Sequence, residues 1–207
     1  MAVAWVLLTL LVGGLLVAHR SGRAGAEWVL KPLASLTFVG AAALGRALES
    51  AAGTVFFAGL VLAAAGDVLL IPKSKASFLG GLVAFLLGHV AYAIGFLVLG
   101  VDVGWAAWAA PWMVVSAALV LAWLNPRVEA RMQRPVLAYV IVISVMVALA
   151  IGAARHTGRP VLAVFAILFY LSDLTVARER FVKKDFANRA VGLPLYFYAQ
   201  LLLATSI

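Results

Sequence analysis

Two carboxylates and one imidazole lie inside long apolar runs of this sequence. Asp67 follows AAAG, His89 lies within AFLLGHVAY, and Asp173 lies within LFYLSDLTV. An ionisable side chain at the centre of a membrane-spanning helix costs about 2.5–3.5 kcal/mol, so a function is expected of it. Carboxylates and imidazole transfer protons, and this set therefore predicts either acid–base catalysis or a proton relay.

Further polar side chains lie at helical spacing in the same runs. Tyr92 follows His89 by three residues, and Gln200 follows Tyr196 by four, so each pair lies on one face of a helix. We interpret the two aspartates as a catalytic pair and the polar residues around them as substrate-binding or orienting groups. The residues proposed for this second role are Lys31, His89, Tyr92, Tyr139, Ser172, Tyr196 and Gln200.

The same residues also have structural interpretations, which the sequence leaves open. Either aspartate could form an ion pair with Lys31, whose ammonium could instead snorkel to the membrane interface. His89 could bridge two helices, and the tyrosines could be packing residues. A zinc site normally needs three or more nearby His, Asp or Glu ligands. Only His89 with both aspartates could supply three within the spans, so we expect no metal and no other cofactor.

Composition places these residues in a membrane. Of the 207 residues, 66% are hydrophobic and 12% are charged, whereas a soluble domain is about half apolar and a quarter charged. We expect an all-α, polytopic membrane helix bundle with eight transmembrane helices, forming a single transmembrane domain over residues 1–207. The apolar runs, near the spanning length of about 20 residues, are 2–18, 28–46, 52–71, 76–99, 104–124, 135–153, 160–177 and 189–206.

The positions of Lys and Arg orient this bundle. If the N-terminus and C-terminus both lie outside, thirteen of the sixteen Lys and Arg residues fall on the cytoplasmic side, as the positive-inside rule requires. Topology then explains the net charge of +8. No basic stripe with interleaved aromatics is present, so we expect no nucleic-acid partner. The lipid bilayer, as the inner membrane of a bacterium, is the expected environment.

The aspartate motifs recur with similar spacing. His89 follows Asp67 by 22 residues and Tyr196 follows Asp173 by 23, each across a basic loop. A parallel 4+4 duplication of four helices would explain this echo. In either case, the orientation brings the polar residues of helices 2, 3, 4, 7 and 8 to the cytoplasmic half of the membrane.

The order of short motifs resembles that of the YhhN-like family of integral membrane proteins, whose members include lysoplasmalogenases. The resemblance covers nearly the whole chain, although Leu195 stands where a small polar residue is expected. The motifs are KPL at 31–33, GD at 66–67, F-x-G at 78–80, F-x-x-G-H-x-x-Y at 85–92, Tyr139, SD at 172–173 with Ala177 and Phe181 after it, and Y-x-x-x-Q at 196–200.

This resemblance implies a hydrolase that cleaves the vinyl ether bond of lysoplasmalogen, a lysophospholipid, to a fatty aldehyde and a glycerophospho head group. Such a bond is cleaved by protonating its β-carbon, which gives an oxocarbenium ion that water attacks. Asp67 and Asp173 could supply the acid and the base, because a partly dry pocket can keep one carboxyl neutral while the other is ionised. The resemblance implies no cofactor.

The alternative is a proton-linked transporter or a lipid-binding protein that uses the same carboxylates. A transporter is expected to have helices interrupted near the midplane. The prolines favour a rigid enzyme, because most of them are expected at helix ends and only Pro194 inside a helix. Those expected at helix ends are Pro72, Pro111, Pro126, Pro135 and Pro160.

Overall fold

Eight α-helices form the protein in a computed structural model that describes residues 1–72 and 74–207. Lys73, one of the thirteen cations counted above, lies outside the described residues. The helices are α1 (Ala2–Arg20), α2 (Glu27–Leu44), α3 (Ala51–Leu69), α4 (Lys75–Leu99), α5 (Val103–Leu124), α6 (Ala130–Thr157), α7 (Val161–Phe181) and α8 (Phe186–Ala204). The described part of the chain contains no β-strand, which confirms the all-α prediction.

Most of the membrane-spanning helices are longer than the apolar runs from which they were predicted. The run at 135–153 lies within α6, which begins at Ala130 and ends at Thr157. The run at 160–177 became α7, which ends at Phe181. The added turns carry charged residues such as Arg131 and Arg178. Hydropathy measures the part of a helix immersed in hydrocarbon, and the helix itself continues into the interface.

The prediction that prolines lie at helix ends was wrong for Pro111 and Pro135. Pro111 is the ninth residue of α5, and Pro135 is the sixth residue of α6. Proline removes one backbone hydrogen bond from a helix, but transmembrane helices tolerate this where neighbouring groups satisfy the freed carbonyl. Proline positions therefore do not distinguish an enzyme from a transporter here.

Helices α1 to α7 are each long and apolar enough to cross a membrane. The eighth helix is more polar because it carries Asn188, Arg189 and Gln200. Its 19 residues extend about 28 Å, at about 1.5 Å per residue. Asn188 and Gln200 are buried against the other helices, so protein and not lipid surrounds these two polar side chains. The protein is an integral membrane protein.

Seven helices form a ring, and α5 lies outside it. Around the ring α3 packs on α4, α4 on α6, α6 on α7, and α7 on α8. The ring closes because α8 packs on α1 and α2, and α2 packs on α3. The fifth helix packs along α6 and buries Ala109 and Leu124, while most of its other large side chains are exposed. That residues 1–207 form one domain, with or without a 4+4 repeat, stays a prediction.

The chain termini lie together at one end of the bundle. There Gly45 lies close to both the Met1 side chain and the Ala204 carbonyl. The loops that follow α1, α3, α5 and α7 lie at the opposite end, where Lys75 pairs with Glu129 across two of them at 3.7 Å. We call this opposite end the loop end. That it faces the cytoplasm stays a prediction.

Glycines bring α3 and α4 into close contact. Gly59 lies against the Tyr92 ring and Gly66 against the Phe85 ring. On α4 the contact uses Gly81, which lies against the Leu70 side chain and near the Gly66 carbonyl, and Gly88, which lies near the Gly59 carbonyl. Because side chains of α4 sit over glycines of α3, Phe85 and its neighbours are held in fixed positions next to the cavity described below.

Gly59→Ala is expected to destabilise the protein. An added Cβ would overlap the Tyr92 ring, which is fully buried and cannot move freely. Overpacking of this kind costs about 1–3 kcal/mol. Thermal unfolding in detergent checks this against Gly13→Ala, whose Cβ would meet nothing within 4 Å. Equal unfolding midpoints for the two variants would show that the α3–α4 contact is looser than described.

Candidate active site

A partly open cavity of about 240 Å³ lies between the helices toward the loop end. Its wall contains both aspartates and four more of the predicted site residues. Three others, His89, Tyr92 and Gln200, are fully buried behind that wall. The predicted residues that line the cavity are Lys31, Asp67, Tyr139, Ser172, Asp173 and Tyr196.

Asp67 is held by donors from α2 and α8. Its Oδ2 atom accepts hydrogen bonds from Ser35 Oγ at 2.6 Å and from Tyr196 Oη at 2.7 Å. Lys31 Nζ lies 3.3 Å from Oδ1 and also donates to the Asp67 carbonyl at 3.1 Å. The neighbours are a cation and two hydroxyl donors, a set of partners that favours an ionised carboxylate, which accepts at both oxygens.

Asp173 has a different environment, formed by α4 and α6. Its Oδ2 atom accepts a hydrogen bond from Tyr139 Oη at 2.7 Å and lies 3.5 Å from His89 Nε2. About 16% of the Asp173 side chain is exposed, against 2% for Asp67, so Asp173 presents more of its carboxyl to the cavity.

The tautomer of His89 is set by its own helix. Nδ1 lies 2.7 Å from the Phe85 carbonyl, which can only accept, so Nδ1 carries the hydrogen. In neutral His89, Nε2 is then an acceptor that faces Asp173 Oδ2, and no described residue gives Nε2 a conventional hydrogen bond. Two facing acceptors repel each other unless a proton lies between them. A proton on either atom would turn this contact into a hydrogen bond.

Aromatic rings fix the distance between these two environments. Phe169 lies against His89 with ring centroids 4.5 Å apart, and against Tyr196 with centroids 5.5 Å apart. Phe85 packs edge-on against Tyr196 at 5.7 Å. These apolar contacts hold His89 and Tyr196, the partners of the two carboxylates, in fixed positions away from water. Packing of this kind keeps functional groups in one geometry.

Polar and charged side chains from α1, α2, α7 and α8 line the mouth of the cavity. Arg189 donates to His19 and lies 3.4 Å from Glu179, and Glu27 lies 3.9 Å from His19. The mouth therefore offers both a guanidinium and carboxylates to a ligand. Lys31 lies deeper than these residues, next to Asp67.

The loop between α7 and α8 fixes the position of Arg189 at this mouth. Asp185 caps α8 by accepting from the Asn188 backbone at 3.1 Å, and it also accepts from the Arg178 guanidinium at 3.1 Å. The hydrogen bond from Arg178 holds the pKa of the Asp185 carboxyl below its usual value. An ionised carboxylate at the start of a helix favours that helix.

Comparison with known proteins gives the family. The model of the YhhN family matches residues 26–207. The chain belongs to the YhhN family. One relative is lysoplasmalogenase TMEM86A of Bos taurus, which is 33% identical over 177 residues that make up 82% of this chain and 71% of the relative. Lysoplasmalogenase TMEM86A of Homo sapiens is 30% identical, with the same coverage. No solved structure matches the chain.

Three predicted site residues of this YhhN-family chain do not touch the aspartates. Tyr92 Oη donates to Gln200 Oε1 at 2.8 Å, and this pair lies on the side of His89 away from the loop end. Ser172 Oγ donates to the Phe169 carbonyl of its own helix, although the residue lines the cavity. A substrate role for these three residues therefore stays a prediction.

Sequence reasoning missed Ser35, Glu179 and Arg189 as site residues. Ser35 follows Lys31 by four residues, so the shared helix face was a usable signal. Glu179 and Arg189 resemble ordinary loop charges in sequence, and only the pairing of α7 with α8 brings them to the cavity. Among residues 1–72 and 74–207, no group of three or more His, Asp or Glu side chains could hold a metal ion.

Proposed function

We propose that this YhhN-family protein is a lysoplasmalogenase, which hydrolyses the vinyl ether bond of a lysoplasmalogen to a fatty aldehyde and a glycerophospho head group. The observation that carries the proposal is one membrane-embedded cavity lined by two carboxylates in unlike environments. The relatives named lysoplasmalogenase support it. A lysophospholipid substrate fits a cavity with a charged mouth and apolar walls.

Asp173 is the general acid in this proposal. Its carboxyl, protonated in this proposal, faces His89 Nε2 and is the more exposed of the two carboxyls to the cavity. Proton transfer from Asp173 forms a C–H bond at the β-carbon. The positive charge that results is shared by the α-carbon and the ether oxygen, as an oxocarbenium ion. Tyr139 donates a hydrogen bond to Asp173 Oδ2. This hydrogen bond stabilises the carboxylate that remains after the proton has left.

Asp67 is the anion that faces the developing cation. Lys31, Ser35 and Tyr196 keep it ionised, so its negative charge is in place before the oxocarbenium ion forms. Preorganised charge of this kind acts strongly in a site with little water. The same carboxylate can accept a proton from the attacking water, although its three donors make it a weak base. A weak base suffices because an oxocarbenium ion is a strong electrophile.

The proton count closes over one turnover. Asp173 gives its proton to the β-carbon, and water adds to the α-carbon while Asp67 takes the proton that water loses. The product of these steps is a hemiacetal. Its C–O bond to glycerol breaks as Asp67 returns a proton to the leaving oxygen and Asp173 takes the proton of the hemiacetal hydroxyl. Aldehyde and glycerophospho product leave, and both carboxyls regain their starting states.

Lys31 and Arg189 are the candidate partners of the substrate phosphate. Arg189 lies at the mouth of the cavity, and Lys31 lies between the mouth and Asp67. A phosphate near Arg189 puts the glycerol near Lys31 and the vinyl ether near the carboxylates.

We propose further that the loop end faces the cytoplasm of a bacterial inner membrane, supported by its share of the Lys and Arg residues. Labelling of an Asp102→Cys variant by a membrane-impermeant maleimide from outside tests this orientation.

Aldehyde release by purified protein tests the function. A lysoplasmalogen and its acyl-ester counterpart are compared in detergent, each with and without a chelator. The proposal expects aldehyde from the vinyl ether, at a rate that the chelator does not change, and no cleavage of the ester at a comparable rate. A folded sample that releases no aldehyde would reject the enzyme, and flux measurements in liposomes would then test the transporter.

A further inference from the structure

The cavity is polar on one side and apolar on the other. Toward α1, α2 and α8 its wall carries Glu27, Lys31 and Arg189. Toward α5 and α6 its wall carries aliphatic side chains such as Val120 and Val140, and α7 contributes apolar residues such as Leu174 between its polar ones. A ligand with a charged head and a hydrocarbon chain therefore has one favourable direction in this cavity, with its chain toward α5 and α7.

The boundary between α5 and α7 is closed at two points. Ser116 Oγ and Tyr170 Oη share a hydrogen bond of 2.8 Å. Closer to the loop end, Phe181 packs against the cluster that contains Leu124. Between these contacts the cavity reaches half-buried residues of both helices, Val120 on α5 and Leu174 on α7 among them. We call this stretch the α5–α7 seam.

Other boundaries of the cavity are more tightly packed. Between α7 and α8, Gly192 lies directly against the Thr175 hydroxyl. Between α3 and α4, Gly81 lies directly against the Leu70 side chain. The fifth helix, by contrast, packs mainly along α6 and is the most lipid-exposed helix, with Ala109 and Leu124 as its buried residues. Separation of α5 from α7 thus disrupts fewer contacts than separation of the ring helices.

We propose that the alkenyl chain of the substrate leaves the cavity through the α5–α7 seam and lies in the bilayer beyond it. This inference rests on the proposed function and names the path of the substrate in the same site. The Ser116–Tyr170 hydrogen bond bounds the seam on its mid-membrane side, and Phe181 bounds it on the loop-end side. The seam therefore opens in the half of the bilayer that holds the chain of a lysolipid whose head group is at the loop end.

This path agrees with the proposed roles of the carboxyls. The β-carbon of a vinyl ether is on the chain side of the bond, and the ether oxygen is on the glycerol side. Asp173 lies on α7, next to the seam, whereas Asp67 lies beside Lys31 on the polar side. A chain in the seam therefore brings the β-carbon to Asp173 and the glycerol oxygen toward Asp67.

Protection of an introduced thiol tests the seam. The sequence has no cysteine, so Val120→Cys supplies a single reactive thiol in the seam. Leu119→Cys is the matched control, because Leu119 is the adjacent residue and is 66% exposed on the lipid side. The probe is a saturated alkyl-ether lysophospholipid with a 16-carbon chain, which binds like the substrate and cannot be cleaved. A hexyl analogue is the short-chain control.

At a probe concentration of about ten times its Kd, labelling of Val120→Cys by N-ethylmaleimide is expected to slow about tenfold. Labelling of Leu119→Cys is expected to stay unchanged, and the hexyl analogue is expected to protect Val120→Cys much less. Equal labelling of Val120→Cys with and without probe would overturn the seam, as would equal protection of both variants or equal protection by both chain lengths.

The two proposals fail in different ways in this experiment. The labelling requires binding and not turnover, so it decides the path of the chain whether or not aldehyde forms. Protection of Val120→Cys in a protein that releases no aldehyde would keep the seam and reject the hydrolase. Aldehyde release by wild-type protein, with no protection of Val120→Cys, would keep the hydrolase and reject the seam.

Discussion

Asp173→Asn is expected to lower kcat for aldehyde release about 10²- to 10⁴-fold, the usual contribution of a positioned general acid. The amide has nearly the shape of the carboxyl and can still accept from Tyr139, but it has no acidic proton to give to the β-carbon. The change leaves His89 bonded to the Phe85 carbonyl, so the surrounding helices are expected to keep their packing.

Asp102→Asn is the matched control for this variant. Asp102 caps α5 at the end of the bundle far from the cavity, and asparagine caps helices equally well. The rate of aldehyde release by Asp102→Asn is therefore expected to equal that of the wild-type protein. If Asp173→Asn kept kcat within a few-fold of wild type in a vinyl ether assay, Asp173 would not be the acid.

Asp67→Asn is expected to lose both activity and stability. Loss of the anion removes the charge that faces the oxocarbenium ion, and loss of one preorganised electrostatic group costs about 10²- to 10³-fold in kcat. The variant also leaves the buried Lys31 ammonium without its countercharge. Removal of one partner of a buried ion pair costs about 3–5 kcal/mol. Thermal unfolding and initial rates, measured on the same preparation, check the two effects.

A second substitution separates these two effects of Asp67→Asn. In the double variant Lys31→Met and Asp67→Asn, both charges are gone, so most of the lost stability is expected to return. Activity is expected to stay low because the anion is still missing. Recovery of near wild-type kcat in the double variant would mean that Asp67 has a structural role and is not part of the chemistry.

The helices and the end at which the polar residues meet could be predicted from the sequence. Long apolar runs determine where helices cross the membrane, and the uneven distribution of Lys and Arg determines their alternation. Asp67 and Asp173 each precede a basic loop, so their placement toward the same end followed from this alternation alone. The structure brings both to one cavity.

The partners of each carboxylate could not be predicted in the same way. Asp67 of α3 is bonded to Tyr196 of α8, and Asp173 of α7 lies beside His89 of α4. Each aspartate thus meets a residue of the other helical hairpin. Hydropathy does not encode such pairings, because the side of a helix that faces lipid and the side that faces protein are both apolar. The peripheral position of α5 escaped prediction for the same reason.

The most direct test of the central claim, that a carboxyl held in the cavity protonates the β-carbon, is the configuration of the aldehyde formed in D₂O. The carboxyl proton exchanges with solvent, so the proposed step delivers one deuterium to the carbon next to the aldehyde group, from one face. Reduction of the aldehyde as it forms, by an alcohol dehydrogenase with NADH, preserves that centre for analysis. We predict a single deuterium in one configuration. No deuterium at that carbon, or an equal mixture of both configurations, would contradict a proton transfer from a fixed carboxyl.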